Sequence, residues 1–371
     1  MSKSSIEWTD VTWNPVRGCS MAPGSEAGGC LNCYAARMAA RNLPEMRSPT
    51  TGKQFAVLRD SGPRWTGDVE LIEDKLQEPL HWRKPRRKPR RVFVNSMSDL
   101  FHEALPDAAI DRVFAVMALC PHLTFQVLTK RPERMRDYLS ADPADLAVRW
   151  GCAAGCMLDG PWIWDEGKRF REKIEAFISG SHGFYPDGED LLEDDLYEIP
   201  LTNVQFGVSV EDQPTADARI PVLLQTPAVL RFVSYEPALG PVDFRNLPFP
   251  SGGSFSAVAK VVPGFASRGF PRLDWLICGG ESGPGARPFN LAWARNARDQ
   301  CREAGVPFFM KQVGAHPILS VTDLHNLLAE LPDTDRTLED NCYRLKLRDR
   351  KGGTMAEWPE DIRIRQFPEA R

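Results

Sequence analysis

Short apolar segments alternate along this chain with longer segments in which apolar residues recur every three or four positions. Short runs rich in β-branched and aromatic residues predict strands, and the three-to-four spacing predicts helices. Helices are predicted over Tyr34–Asn42, Asp107–Leu119 and Pro214–Gln225, among others. Strands are predicted over Ile6–Asn14, Val92–Asn95, Thr124–Leu128, Val204–Val210, Leu230–Ser234, Asp274–Cys278 and Pro307–Met310.

This alternation predicts an α/β fold, a mostly parallel partial (β/α) barrel of six to seven strands, with an open doubly wound sheet as the alternative. We expect residues 1–320 to form the barrel, with insertions at about 141–202 and 249–270, and residues 321–371 to form a C-terminal helix and tail packed on it. Residues 45–70 are interpreted as an irregular connection. Arg344–Arg350, with the two glycines that follow it, is interpreted as part of a terminal hairpin.

Polar residues follow most of the predicted strands directly. Because the carboxyl ends of parallel strands meet at one edge of a sheet, these residues are expected to converge there. Asn95 and Ser96 are interpreted either as ligand-binding residues or as caps of the next helix. The other residues of the set are Lys130, Glu211, Glu236, Gly279, Gly280, Glu281 and Lys311.

Three cysteines lie in a glycine-rich loop near the N-terminus, after the first predicted strand. Cys19, Cys30 and Cys33 have the spacing C-x10-C-x2-C, and Tyr34 follows the last of them. Thiolates select iron–sulfur clusters, zinc or Cu(I). Ordinary clusters and structural zinc sites use four protein ligands, so three cysteines leave one coordination position open for chemistry.

The loop and its position before a series of strands and helices resemble the radical S-adenosylmethionine (SAM) enzymes. More narrowly, the chain is similar to a phage and bacterial family of unassigned function that carries a three-cysteine motif. The similar segments run from about Ile6 to Gly314 and return near the end; they are IEWTDVTWNPVRGC, GCLNCYA, RVFVNSMSDLFHE, VLTKRPERM, SYEPALGP, GGESGPGARP, FFMKQVG and EWPEDIRIRQFP. The common radical-SAM spacing is C-x3-C-x2-C, and the first gap here is ten residues.

The resemblance implies a radical-SAM-like barrel in which Cys19, Cys30 and Cys33 hold a [4Fe–4S] cluster and SAM chelates the fourth iron. It implies reductive cleavage of SAM to a 5′-deoxyadenosyl radical, with a flavodoxin or ferredoxin as reductant. Tyr34 and the residues of the strand-end set other than Lys311 are then expected to bind the cofactor. Because the GGE segment follows the sixth strand here, rather than the second, Glu281 is assigned to adenosine or substrate, with a tight turn as the alternative.

Charge suggests a class of substrate. The formal net charge is −4, but Arg83–Arg91 places seven basic residues in nine positions. Such a run predicts phosphate contacts with a nucleic acid or nucleotide, or else a solvated loop before the next strand. The substrate is therefore expected to be a nucleic acid or nucleotide, in base modification or repair.

Composition is ordinary for a globular protein, and nothing in it predicts a membrane segment or a disulfide framework. The first residues lack the apolar core of a signal peptide, and the nine cysteines are unevenly spaced. We expect a bacterial or phage-infected host cytoplasm. Cys152 and Cys156 are interpreted as small buried residues, with a second metal site as the alternative.

Two other functions remain open at this point. A zinc-stabilised, non-catalytic nucleic-acid-binding protein would need a fourth ligand for the three cysteines, and no histidine lies within the motif. In the other reading, the cysteines are merely buried and a different chemistry uses the strand ends.

Overall fold

The strands of this chain are mostly short, and helices follow those of the largest sheet. The structure is a computed structural model, and it describes residues 4–25, 28–41, 43–60, 62–82, 89–157, 199–249, 252–259, 271–320, 336–339 and 342–369. In the described ranges the strands are β1 Val11–Trp13, β2 Val16–Arg17, β3 Ala56–Arg59, β4 Gly62–Trp65, β5 Glu70–Leu71, β6 Arg90–Val94, β7 Leu123–Thr129, β8 Val204–Val210, β9 Leu230–Tyr235, β10 Leu247–Pro248, β11 Ser254–Phe255, β12 Trp275–Gly279, β13 Phe289–Asn290, β14 Phe308–Gln312, β15 Pro317–Ser320, β16 Arg336–Glu339 and β17 Cys342–Leu345. The α-helices are α1 Tyr34–Ala39, α2 Glu73–Leu76, α3 Asp107–Ala118, α4 Pro132–Leu139, α5 Pro143–Gly155, α6 Gln213–Gln225 and α7 Leu291–Ala304.

Seven strands form one parallel sheet in the order β1-β6-β7-β8-β9-β12-β14. The order rises along the chain without the reversal that a doubly wound sheet requires. The expected α/β fold with a mostly parallel sheet of six to seven strands is therefore confirmed. Its carboxyl ends lie together, and we call this end of the sheet the mouth.

The sheet curls into a half barrel, and the ring contacts of Trp8 show how strongly it is curved. The ring of Trp8 lies 4.7 Å from that of Phe93 on β6 and 6.3 Å from that of Trp275 on β12. These strands are four places apart in the sheet, a separation of ~19 Å if the sheet were flat. With Phe232 on β9, these rings fill the lumen below the mouth. Gly207 makes room for them, because a Cβ there would lie 2.6 Å from the Phe232 ring.

Alternating residues of the same strands face outward and pack against the helices. Phe125 and Phe206 are buried there with Phe114 of α3 and Trp150 of α5. Helix α6 begins with a capping box, in which the Asp212 side chain accepts a hydrogen bond from the backbone N–H of Thr215. These helices fix the positions of the strand ends that form the mouth.

Two predictions about the smaller elements are wrong. Residues 45–70 contain the β3–β4 hairpin, which packs on α1, rather than an irregular connection. The strand β17 ends at Leu345 and pairs with β15 and β16, so no hairpin forms around Gly352 and Gly353. The first predicted strand is also shorter than expected, since only Val11–Trp13 pairs with β6.

The C-terminal tail pairs with the last strand of the half barrel. The backbone N–H of Met310 donates to the carbonyl of Ile364, and that of Gln366 donates to the carbonyl of Phe308. The indole N–H of Trp275 also donates to the Gln366 carbonyl at 2.9 Å. Within the described ranges, the helices are all too short or too polar to cross a bilayer.

Cys152 lies on α5, Cys156 directly follows it and both are exposed, so the interpretation that they are buried is wrong. Both lie at the end of a helix whose other face is packed on α3, which explains why neither contributes to the core. Residues 158–198, which form most of the first predicted insertion, lie outside the described residues, as do residues 83–88 of the basic run and 260–270 of the second insertion.

Candidate functional site

The three cysteines lie in a loop that leaves β2 and ends at α1. Gly18 begins the loop with φ +88°, and a Cβ there would lie 2.0 Å from the carbonyl oxygen of Asp68, so only glycine fits. Cys33 immediately precedes the first residue of α1. All three cysteines are free and half-buried. The loop lies across the mouth, where it contacts residues that follow three different strands.

A first ion-pair cluster holds the middle of the cysteine loop. Glu211, after β8, is fully buried and accepts hydrogen bonds from Lys130 and, at 2.8 Å, from Arg219. Arg219 also donates to the hydroxyl of Ser25 at 2.6 Å. Gly29 lies against the same carboxylate. Burial raises the pKa of Glu211, but Lys130 and Arg219 outweigh it and hold the pKa below its usual value, so this carboxylate is charged.

A second ion-pair cluster holds the end of the same loop. Glu281, after β12, accepts hydrogen bonds from the Arg287 guanidinium at 2.7 and 3.0 Å and from the Asn32 amide at 3.2 Å. Arg287 in turn donates to the Gly28 carbonyl at 3.1 Å. Burial raises the pKa of Glu281, but the hydrogen bonds from Arg287 and Asn32 outweigh burial and hold the pKa below its usual value. This carboxylate is therefore charged too. Two of the three carboxylates that were expected to bind ligand, Glu211 and Glu281, therefore anchor the cysteine loop.

Cys19 lies beside a buried arginine. The Arg131 guanidinium is 4.0 Å from the Cys19 sulfur and 3.2 Å from the Asp99 carboxylate. Burial, then Asp99, and to a smaller degree the other two loop thiols raise the pKa of Cys19 to about 12, although Arg131 opposes this. The thiol therefore keeps its proton at neutral pH in the unloaded chain, and a metal that binds here must displace it.

His102 lies on the same side of the loop, but both of its ring nitrogens are engaged. Its Nδ1 accepts a hydrogen bond from the backbone N–H of Ala104 at 3.1 Å. The proton therefore lies on Nε2, which donates to the Ser20 hydroxyl at 2.8 Å. Burial and the nearby Arg131 lower the pKa of His102, so the ring is neutral.

A third polar group at the mouth lies on the ends of β9, β12 and β14. Lys311 donates to Glu236 at 2.5 Å, and the Gln312 amide donates to the same oxygen at 3.3 Å. The Gln312 side chain is only 2% exposed, and its Oε1 has no partner among the described residues. Gly279 lies beside Glu236. This buried oxygen can therefore still accept a hydrogen bond from a donor that enters the mouth.

Asn95 closes the mouth at the end of β6. It has a φ of +59°, a conformation in which asparagine is tolerated, and its Oδ1 accepts from the backbone N–H of Val16 at 3.2 Å. Its Nδ2 is buried and has no partner in the described chain. The Tyr34 hydroxyl donates to the Ser96 carbonyl at 2.6 Å, and the Ser96 hydroxyl donates to Asn14 at 3.1 Å.

The sequence-predicted residues are thus brought together at one end of the sheet, but three important partners were missed. Gln312 directly follows Lys311, a predicted strand-end residue, so position along the chain offered a signal for it. Arg219 and Arg287 lie eight and six residues after their carboxylate partners, in a helix and a loop, where nothing in the pattern marks them.

The donor set fits a cluster in kind and in number, because one loop supplies three free thiols, and Cys30 and Cys33 are near enough to raise the pKa of Cys19. Within the described ranges, however, no group of three or more His, Cys, Asp or Glu side chains is gathered at positions that could hold a metal ion. Loading would therefore require the sulfurs of the loop to move closer together.

The two glycines after β12 differ in a way that can be tested. A Cβ on Gly280 would lie 2.5 Å from the Val313 carbonyl oxygen and 2.9 Å from the Phe289 ring, whereas one on Gly279 would meet nothing closer than 3.4 Å. We expect Gly280→Ala to lower the free energy of unfolding by about 1–3 kcal/mol, because the added methyl group would overpack the core at this position. Gly279→Ala should unfold at nearly the wild-type urea concentration. Equal unfolding midpoints for the two variants would contradict this assignment.

Comparison with known proteins gives one match. Residues 3–351 match the model of a family described as a protein of unknown function, DUF5131. Searches of the curated proteins and of the solved structures found no match.

Proposed function

The chain belongs to the DUF5131 family, and we propose that it is a radical SAM enzyme. The observation that carries the proposal is the cysteine loop itself, with three thiols held over the mouth of a parallel half barrel by two buried ion-pair clusters. As part of this proposal, the half barrel has the fold of the radical-SAM barrel. The proposal also includes a cytoplasmic location and a small reductant protein such as flavodoxin or ferredoxin.

In this proposal Cys19, Cys30 and Cys33 hold three irons of a [4Fe–4S] cluster, and the fourth iron is left for SAM. Such a cluster supplies the electron that cleaves SAM to methionine and a 5′-deoxyadenosyl radical. The protein contributes binding, orientation and exclusion of water. Arg131 places a positive charge beside Cys19 and thereby favours the thiolate that a cluster needs.

The residues of the third polar group suit the amino-acid end of SAM. Glu236 and Lys311 have opposite charges on neighbouring strand ends, and so match an ammonium and a carboxylate. Gln312 and Asn95 each have an amide atom without a partner among the described residues. Gly279 has no side chain to obstruct close approach, and Tyr34 and Ser96 border the same space. Lys130 and Glu211 support the loop from below.

The lumen of the half barrel favours radical chemistry at the mouth. Trp8, Phe93, Phe232 and Trp275 fill it below the strand ends. Their rings keep water from reaching the mouth through the barrel, which protects a reactive intermediate from side reactions.

The zinc-binding alternative receives no matching support. His102 is the histidine adjacent to Ser20 in the loop, and both of its nitrogens already have hydrogen-bond partners. A structural zinc site needs a fourth protein ligand beside the three cysteines, and these hydrogen bonds engage both nitrogens of His102 that could supply it.

The proposal is tested by metal analysis followed by a turnover assay. The chain is expressed without oxygen, reconstituted with iron and sulfide, and assayed for iron, acid-labile sulfide and zinc. We expect about four irons and four sulfides per chain, and 5′-deoxyadenosine when SAM and dithionite are added. One tightly held zinc without a cluster, or a cluster that leaves SAM intact, would overturn the proposal.

A further inference from the structure

A small lobe beside the cysteine loop has an unusual surface. It consists of α1 and the β3–β4 hairpin, residues 34–65, and we call it the basic lobe. One face of α1 is buried against the hairpin through three alanines, Ala35, Ala36 and Ala39. The residues at helical spacing on the other face form an outward stripe of cations and large apolar side chains, Tyr34, Arg37, Met38 and Arg41.

The charge of the basic lobe is opposite to that of the whole chain. It contains six Lys and Arg residues and two acidic residues, a local excess of four positive charges in a chain of formal net charge −4. A concentration of one sign of charge on one surface attracts polyanions.

Five cations of the basic lobe form no ion pair with a carboxylate in the described part of the chain: Arg37, Arg41, Lys53, Arg59 and Arg64. Arg37 and Arg64 donate only to backbone carbonyls, those of Pro284, Leu31 and Pro63. The side chains of Arg41, Lys53 and Arg59 are exposed and form no ion pair with any described residue. By contrast, Arg131, Arg219 and Arg287 at the mouth are all paired with carboxylates.

Exposed apolar side chains accompany these cations. Of the eight large hydrophobic side chains that are exposed in the described residues, six lie between residues 21 and 58, in the cysteine loop and the basic lobe. Leu58 is 75% exposed and Tyr34 is 53% exposed. A surface that combines unpaired cations with large apolar groups differs from an ordinary solvated basic surface.

The basic lobe borders the mouth directly. Arg37 reaches the loop after β12, where it donates to the Pro284 carbonyl at 3.3 Å. Arg64 donates to the Leu31 carbonyl in the cysteine loop at 3.2 Å. The described end of the basic run has a different location, because Arg90 and Arg91 begin β6 and so lie at the end of the sheet opposite the mouth.

We propose that the basic lobe docks a single-stranded segment of nucleic acid and delivers one nucleotide to the mouth. Arg41, Lys53 and Arg59 contact phosphates, and the exposed apolar side chains contact base faces. A duplex hides its base faces by stacking, so the apolar groups favour a single strand or an unstacked base. An acidic protein would also satisfy the cations, but a single-stranded nucleic acid carries a planar base face beside every phosphate. Delivery to the mouth rests on the proposed function, whereas docking itself does not.

Docking is tested by fluorescence anisotropy of the full chain, as purified, with a fluorescein-labelled oligonucleotide of about 20 nucleotides, longer than the roughly 4–16 that one binding site covers. The variant Arg41→Gln/Arg59→Gln is compared with the control Arg245→Gln/Arg302→Gln. Arg245 lies in the loop before β10 with its side chain 51% exposed, and Arg302 lies on α7 with its side chain 71% exposed. Removing two phosphate contacts should reduce the slope of log affinity against log salt by about 1.4. The wild-type advantage over the variant should then shrink about sevenfold between about 50 and 200 mM salt. The control should bind as the wild type does.

A third variant tests the base contacts separately. Leu58→Ser should weaken binding by the same factor at every salt concentration, because it removes an apolar contact and no charge. Equal binding by the wild type and Arg41→Gln/Arg59→Gln would overturn the proposal. So would displacement of the oligonucleotide by polyglutamate as readily as by unlabelled oligonucleotide, which would indicate an acidic protein partner. None of these measurements uses the cluster or SAM, so a failure of SAM cleavage leaves them unaffected.

Discussion

Cys33→Ala is expected to remove the iron and sulfide that the reconstituted chain binds, from about four of each per chain to below one. A cubane cluster held by three protein thiolates cannot be retained by two, and Cys33 belongs to the close pair that precedes α1. Formation of 5′-deoxyadenosine should fall to the background level with it. Iron and sulfide assays, together with the visible absorption of the cluster, measure the first effect, and chromatography of the products measures the second.

Cys152→Ala is the matched control for this experiment. Cys152 is exposed on α5 and lies in a different part of the chain from the cysteine loop. An exposed thiol can bind adventitious iron, so removing the Cys152 thiol tests whether the iron measured in the reconstituted chain is bound at the cysteine loop. We expect this variant to keep its cluster and its activity. Equal loss of iron in both variants would contradict the assignment of the three loop cysteines.

Glu211→Ala should have the largest effect on stability. It leaves Lys130 and Arg219 at the mouth without their carboxylate, and removing one partner of a buried pair lowers the free energy of unfolding by about 3–5 kcal/mol. The Arg219 side chain is only 4% exposed, so water can do little to replace the lost carboxylate. The midpoint of urea unfolding, with the slope checked for two-state behaviour, measures the change.

Glu73→Ala provides the comparison for an exposed pair. Glu73 binds Arg112 at 2.6 Å, but its side chain is 64% exposed, so its removal should change the free energy of unfolding by no more than about 1 kcal/mol. If the two variants unfolded at the same urea concentration, Glu211 would not have the structural role that its burial and ion pairs indicate.

The effect of Glu211→Ala should also depend on pH. The pKa of Glu211 is below its ordinary value of 4.5 in the folded chain, so the charged form stabilises the fold. This contribution is fully present above the unfolded pKa and is lost as the pH falls through the folded pKa. The difference between wild type and variant should therefore be constant from pH 6 to 8 and shrink below about 4.3. A difference that is independent of pH in the acid range would indicate lost packing instead of lost charge.

The parts of the fold that the sequence predicted best are those with a single buried environment. The strand β8 has the predicted bounds, because every second residue is apolar and all but one of its residues are buried. Helix α3 was likewise predicted to within one residue at its C-terminus. The hairpin β3–β4 was missed because its strands are four residues long, largely half-exposed, and include Pro63. Its stability depends on α1, which a local pattern does not reveal.

In the candidate site, too, the features that follow from a local pattern were predicted, and those that depend on tertiary contacts were not. Convergence of the strand ends followed from the parallel order, and the structure does bring Asn95, Lys130 and Glu236 to the mouth. The pairing of Glu211 with Arg219, and of Glu281 with Arg287, depends on the tertiary path of the chain. The sequence therefore located the carboxylates and assigned them to a ligand, whereas the structure also gives them the task of anchoring the cysteine loop.

A half barrel, unlike a closed barrel, has two edge strands, and the C-terminal tail pairs with one of them, β14. An unpaired outer strand offers its backbone groups to any extended segment, including the same strand of another molecule. Residues 364–366 occupy those groups on β14. The tail therefore acts as a guard against strand-to-strand aggregation, and a chain shortened to end before Ile364 should self-associate even though every residue of the mouth is still present.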